Sequence, residues 1–233
     1  MIHHRLLLGL CLLASPISAP AGETIELGDD LSVEAIAPHV WRHLSWQQLE
    51  GWGRTPANGL LVVDDGGIAL IDTPWTDDQT ERLLAWAEET LGARPKLVVP
   101  THAHPDNLGG LAAARRRGAV AWALPRTAAA AEAAGSPVDR VGEGDPFVLE
   151  LGETRLELHH PGPGHTPDNF VVWIPGERLL FGGCFVKSAS SRTMGYTGEA
   201  SGCRFSVRAV LWIIAGHEIH HRGVLAERYL GRR

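Results

Sequence analysis

The sequence predicts one layered α/β domain. Two observations carry this. Apolar runs of strand length alternate with helix-like amphipathic segments in both halves of the chain. No internal repeat or long linker divides it, and its length suits one domain with a sizeable core.

The elements follow in order. Apolar runs at 60–63 and 68–71 flank Asp64-Asp65-Gly66-Gly67, which predicts a hairpin. Residues 77–91 place Leu83, Leu84, Trp86 and Ala87 at helical spacing, with acidic residues early and Thr76 able to cap them. A short buried strand is expected at 97–99. A helix is expected at 108–117, stopped by Gly118, then a strand at 119–123. An alanine-rich helix is expected at 127–134, ended by Gly135. Strands follow near 146–151, 154–159, 170–174 and 178–181, with turns at Gly152 and Pro175-Gly176. Near the end, Val207, Val210, Leu211, Ile214, His217 or Glu218, His221, Val224 and Leu225 keep a helical stripe. The tail at 201–233 is therefore expected to be atypical and helical.

The N-terminus reads as a processing signal. His3, His4 and Arg5 precede an apolar run at 6–14, and Ala19-Pro20-Ala21 offers a small-x-small cleavage site. That run is too short to span a bilayer, which takes roughly 20 residues. Residues 1–21 are expected to be a signal peptide directing export to the periplasm, with the domain at 22–233 and no stable membrane anchor. Leu10 stands before Cys11, where a lipid-attachment site would need a small residue. The formal charge of −6 is mild, and nothing suggests nucleic acid. Arg115-Arg116-Arg117 reads as the basic last turn of a helix. Outside the leader, Cys184 and Cys203 remain. They could pair in an oxidising compartment, and metal ligation of Cys184 competes with that.

The chemistry gathers in three loops, each after a strand-like run. THAHPDNLGG carries His102, His104 and Asp106; PGPGHTPDN carries His165; LLFGGC ends in Cys184. Imidazole, carboxylate and thiolate are zinc ligands, and a catalytic zinc keeps one position open. Taken singly, each loop has a plain reading: surface polar residues, a loop histidine, a small buried hydrophobe. Taken jointly and in this order, they favour a metal centre. Asp72, after a strand and before Thr73-Pro74, reads either as a buried carboxylate bracing the loops through their N–H groups or as a turn residue.

These motifs, with Asn58-Gly59, Ile71-Asp72-Thr73-Pro74-Trp75, Gly109-Gly110 and Lys187, resemble the metallo-β-lactamases of the two-zinc, cysteine-containing subclass (B1) over residues 33–200. The resemblance implies an αββα sandwich with the metal site at one edge. It implies two Zn2+ ions and hydrolysis of the amide bond of β-lactam antibiotics by metal-bound hydroxide. It gives His102, His104 and His165 to one zinc, and Asp106, Cys184 and a further histidine to the other. It counts Asp106, Lys187 and Tyr196 as catalytic, with Lys187 binding the substrate carboxylate. Tyr196 stands where the family commonly has an asparagine near the lactam carbonyl. Asp72 is structural in the family, and residues 46–54 (WQQLEGWGR) correspond to a mobile flap, with Trp52 over the substrate or packed at the edge. The expected partner is a small-molecule β-lactam, and the expected state a monomer.

Asn107 stands where glyoxalase-type and lactonase-type relatives, and another lactamase subclass, put a histidine. Retention of His102 argues against the mono-zinc carbapenemase subclass, which carries asparagine there. The last ligand is open. Ala215-Gly216-His217 supplies a candidate, His217, a short interval after Cys184 and inside the helical stripe. The same segment formally contains HExxH, but a zincin protease would need a third ligand and a cleft. It is more similar to the histidine-rich last helix of DinB-like metal-binding bundles. Two further readings therefore accompany an active β-lactamase: a relative with an impaired second site, or a hydrolase of esters or thioesters on the same fold.

Overall fold

The computed structural model describes residues 22–186 and 212–215. β1 (Thr24–Glu26), β2 (Leu31–Ala37), β3 (Val40–Leu49), β4 (Gly53–Asp64) and β5 (Gly67–Ile71) form an antiparallel meander. β6 (Arg94–Val99), β7 (Val120–Ala123) and β8 (Arg140–Val141) extend that sheet in parallel. Helical crossovers join them: α1 (Asp77–Leu91), then α2 (Pro105–Leu108) with α3 (Leu111–Arg116), then α4 (Pro125–Ala133). The second sheet holds β9 (Phe147–Leu151), β10 (Thr154–His159), β11 (Val171–Ile174) and β12 (Leu179–Gly183), all antiparallel. β13 (Trp212–Ala215) pairs with β12 in parallel.

The continuous apolar runs in the middle of the first sheet are explained by burial on both faces. Leu61 on β4, Ile68 and Leu70 on β5 and Val98 on β6 pack toward Leu83, Leu84 and Ala87 of α1 and Leu111 of α3. The alternate residues Leu60, Val62, Ala69, Ile71 and Val99 pack toward Leu156, Leu158, Val172 and Phe181 of the second sheet. A helix layer, a sheet and a second sheet result, the mixed α/β sandwich that the alternation implies.

Local chemistry sets the element boundaries. The β4–β5 loop is Asp65-Gly66, both at positive φ (46° and 65°), the two-residue turn that matches strand twist. Thr76 Oγ1 accepts the Gln79 N–H at 3.2 Å and caps α1. The three arginines at the end of α3 meet acidic partners: Arg115 with Asp139, Arg116 with Asp77 and Glu81, Arg117 with Glu81 and Glu88. No helix among the described residues is long and apolar enough to cross a membrane.

Two expectations are corrected. The helix at 108–117 is two pieces, broken at Gly109-Gly110. The break lets the chain press against the loop after β5. A Cβ at Gly109 would lie 1.9 Å from the Trp75 carbonyl oxygen, and the Gly110 N–H donates to Thr73 Oγ1 at 2.9 Å. The helical stripe at 207–225 also does not hold throughout, because Trp212–Ala215 is a strand. A four-residue apolar run such as WIIA fits a buried strand as well as a helix, and pairing along β12 decides it.

Candidate metal centre

The site forms where several strands end on one edge of the sandwich. Asp72 follows β5, His102 follows β6 and Cys184 follows β12, while His165 lies on the loop between β10 and β11. His102 Nε2 lies 3.1 Å from His104 Nδ1, and His165 Nε2 lies 3.2 Å from that same nitrogen. The three rings stand edge to face, with interplanar angles of 73°, 90° and 88°. One ring proton can satisfy one such contact, whereas a cation satisfies all three lone pairs. A tetrahedral ion about 2.05 Å from each nitrogen would hold them about 3.3 Å apart, close to what is seen. His102 is fully buried and fixes the floor of the group; His104 and His165 reach the surface. The residues fit a metal.

A second group shares His102 as a neighbour. Cys184 Sγ lies 3.3 Å from Asp106 Oδ2, and both residues are buried. One ligand atom from each of His102, Asp106 and Cys184 falls within a mutual 4.8 Å. Asp106 sits on the single turn of α2, started by Pro105 at the position where a missing N–H costs nothing. Cys184 follows Gly183 at φ +50°, where the chain turns out of β12 against Thr101.

Beneath both groups lies a braced floor. Asp72 is buried at φ +56°, which is strained for a residue other than glycine. Its carboxylate accepts the Thr101 N–H at 2.6 Å and the Thr101 hydroxyl at 2.9 Å. Thr101 Oγ1 in turn accepts from Asn107 Nδ2 at 3.1 Å. Burial pushes the Asp72 carboxyl up to about 7, against the pull of its Thr101 and Asn107 hydrogen bonds. Asp72 is therefore a brace, not a turn residue alone. His43, which the sequence reading passed over, donates from Nε2 to the Asp72 carbonyl at 3.0 Å. Its full burial pushes its pKa down to about 4. Its only signal was a lone histidine between Val40-Trp41 and Leu44, which does not distinguish core from site.

The hairpin of β3 and β4 has a fixed base and an exposed tip. Gln79 Nε2 donates to the Trp46 carbonyl at 2.9 Å, and the Arg54 guanidinium lies 4.6 Å from the Trp46 ring centre. Trp52 at the tip is 82 % exposed, so it is not packed against the sheet edge. Lys187, Tyr196, Cys203 and His217 lie outside the described residues. The backbone next to the last of these is described: Ala215 ends β13 in register with Gly183, the residue before Cys184.

Comparison with known proteins gives one family. The pattern of the Metallo-beta-lactamase superfamily matches residues 52–224, past the point at 200 where the resemblance thins. A metallo-beta-lactamase type 2 from Bacteroides fragilis is 35 % identical over 185 residues, covering 79 % of this chain and 74 % of the relative. A solved metallo-beta-lactamase from Pontibacter korlensis superposes with a TM-score of 0.76 at 31 % identity, covering 86 % of this chain and 97 % of that one. A metallo-beta-lactamase from Pseudomonas aeruginosa, solved in a mono-zinc form, gives 0.74 at 30 % identity, covering 88 % of this chain and 96 % of that one. Family pattern, relatives and superposed folds agree with one another: the chain belongs to the metallo-β-lactamase superfamily of metal-dependent hydrolases.

Proposed function

We propose that the protein is a zinc-dependent hydrolase of the β-lactam amide bond, of the cysteine-containing two-site (B1) type. The observation that carries this is the pair of adjoining donor groups: three imidazole nitrogens facing one point, and Cys184 beside Asp106 next to it. His102, His104 and His165 would hold one ion; Asp106 and Cys184, with His217, would hold the second. Zinc bound there supplies a Lewis acid for the carbonyl and lowers the pKa of a water to about 7. The solved relative in a mono-zinc form supports zinc as the ion. Asn107 supports the subclass: it is buried and its amide turns into the loop toward Thr101, leaving Asp106 and Cys184 as the donors. The end of β13 opposite Gly183 supports His217 as the third ligand, since His217 follows it by two residues.

Around the metals the chain's own groups bind and orient the substrate. Lys187 pairs with the substrate carboxylate, and the Tyr196 phenol donates toward the lactam carbonyl. Trp52, exposed at the hairpin tip, offers an apolar cover. Residues 1–21 act as a signal peptide, so the working enzyme is the periplasmic chain from Gly22, a monomer acting on antibiotics of the β-lactam class.

The test uses the purified mature chain. Two zinc ions per chain and carbapenem hydrolysis are expected. Cys184→Ser should reduce zinc toward one per chain and cut lactam hydrolysis. Cys203→Ser should change neither much. His217→Ala should weaken the second zinc alone, and His221→Ala should be nearly silent. Thioester or lactone turnover without lactam turnover would assign a different substrate. One zinc with weak turnover would mean an incomplete second site.

A further inference from the structure

We propose that Asp168 is a positioning residue for this centre: it ties the loop bearing His165 to the loop bearing His102 and His104, and so sets the separation of the three imidazoles. The proposal rests on the metal-site reading above. Asp168 Oδ2 accepts the backbone N–H of Ala103 at 3.0 Å. Ala103 is the residue between His102 and His104, so the bond fixes the peptide that joins two ligands. Asp168 itself stands three residues after His165.

Asp168 is well anchored for this task. It is 8 % exposed, and its carbonyl accepts from Thr127 Oγ1, fully buried on α4, at 2.6 Å. Asn169 next to it closes the His165 loop on itself: its Oδ1 accepts the Thr166 N–H at 2.9 Å and its Nδ2 donates to the Gly162 carbonyl at 3.3 Å. The Phe170 N–H donates to the Thr101 carbonyl at 3.0 Å. Two cross-loop bonds therefore flank His102, one on each side. The Phe170 bond would survive loss of the Asp168 side chain and keep the loops adjacent. The Asp168 bond sets how the segment carrying His102 and His104 is rotated relative to His165. Metal ligation is sensitive to that rotation, because each nitrogen must sit about 2 Å from one ion.

The experiment compares Asp168→Ala, Asp168→Asn and His165→Ala in the mature chain, by zinc competition with a chromophoric chelator and by cobalt substitution. Asp168→Ala should lower the affinity for the first ion roughly 10–100-fold, the usual range for partners that orient ligands. It should perturb the cobalt ligand-field bands while leaving the thiolate-to-cobalt charge-transfer band of Cys184. Asp168→Asn keeps an oxygen acceptor and should bind nearly as the parent does. Circular dichroism of the metal-free proteins separates folding from binding. A folded Asp168→Ala protein with parental affinity overturns the proposal, and so does Asp168→Asn failing as badly as Asp168→Ala. If Asp168→Ala does not fold, Thr127→Val, which releases the Asp168 carbonyl, should weaken the first ion in the same direction, and unchanged affinity there overturns it. If His165→Ala leaves metal binding unchanged, the metal-site reading itself fails, whatever Asp168 does.

Discussion

His43 shows what full burial does to a titrating side chain in this protein. Desolvation dominates and favours the neutral ring, opposed by the Asp72 carbonyl and helped by the neighbouring Arg42 charge. The folded pKa of about 4 lies below the ordinary 6.5. The unfolded chain therefore binds the proton first as pH falls. The contribution is fully present above about pH 6.5, declines between there and about pH 4, and amounts to about 3 kcal/mol across that window. Protonation of Asp72, whose folded pKa of about 7 lies above its ordinary 3.8, works in the opposite direction over the same range, so His43 is read by difference: in the metal-free protein His43→Asn should gain stability relative to the parent as pH falls from 6.5 to 4. Urea denaturation at pH 7, 6, 5 and 4 on both proteins checks it; parallel curves would remove His43 from the account. At this scale the sequence showed the candidate donors His102, His104, Asp106, His165 and Cys184 and offered Asp72 as one support, but not the others. A ligand announces itself by type and spacing. Asp168, Thr101 and His43 act through hydrogen bonds across 29 to 65 residues of chain, which no local pattern encodes.

Among the elements, β4 is the most constrained, because one of its residues has no room for a side chain. A Cβ at Gly59 would lie 2.1 Å from His43 Nε2 and 2.6 Å from both the Ile71 and Asp72 carbonyl oxygens. The close approach is what lets the His43 ring reach Asp72. Gly59→Ala should destabilise the fold by roughly 3 kcal/mol, the upper part of the usual cost of overpacking. It should also reduce metal affinity by displacing Asp72, readable by urea titration and chelator competition on the same sample. Wild-type stability in that variant would show that β3 and β4 can move apart freely. The arginines of α3 contrast with this. Their ion pairs lie at the surface, so Arg116→Ala should change stability little, and less still in high salt. Strands flanked by clear turns were legible from the sequence. The breaks at Gly109-Gly110 and the strand at Trp212–Ala215 were not, because a docking loop and a pairing partner far away in sequence decided them.

For the whole molecule, the two cores and the metal centre should be coupled. The strands that carry the ligand loops are the same ones buried on both faces, so ions bound at their ends should stabilise the entire domain. Free zinc at a thousandfold excess over its dissociation constant should add about 4 kcal/mol. For a domain of this size that is a rise in Tm of roughly 10 °C. Thermal unfolding with zinc and with chelator measures it; equal melting temperatures would mean that ions and fold are independent. Phe181→Ala should be costly without any change of ligand, about 3–5 kcal/mol, because Phe181 is fully buried between the sheets. The sequence by itself determined the layered class, the β4–β5 hairpin, helix α1 and the five candidate donors, since each rests on periodicity, turn chemistry or side-chain type within a short window. The tertiary structure alone decided that those candidate donors face one another, that Asp72 and His43 brace their loops, that Trp212–Ala215 forms a strand beside β12, and that the hairpin tip stands free. Those facts depend on which distant segments pack together, and packing is settled by burial and pairing over the whole chain.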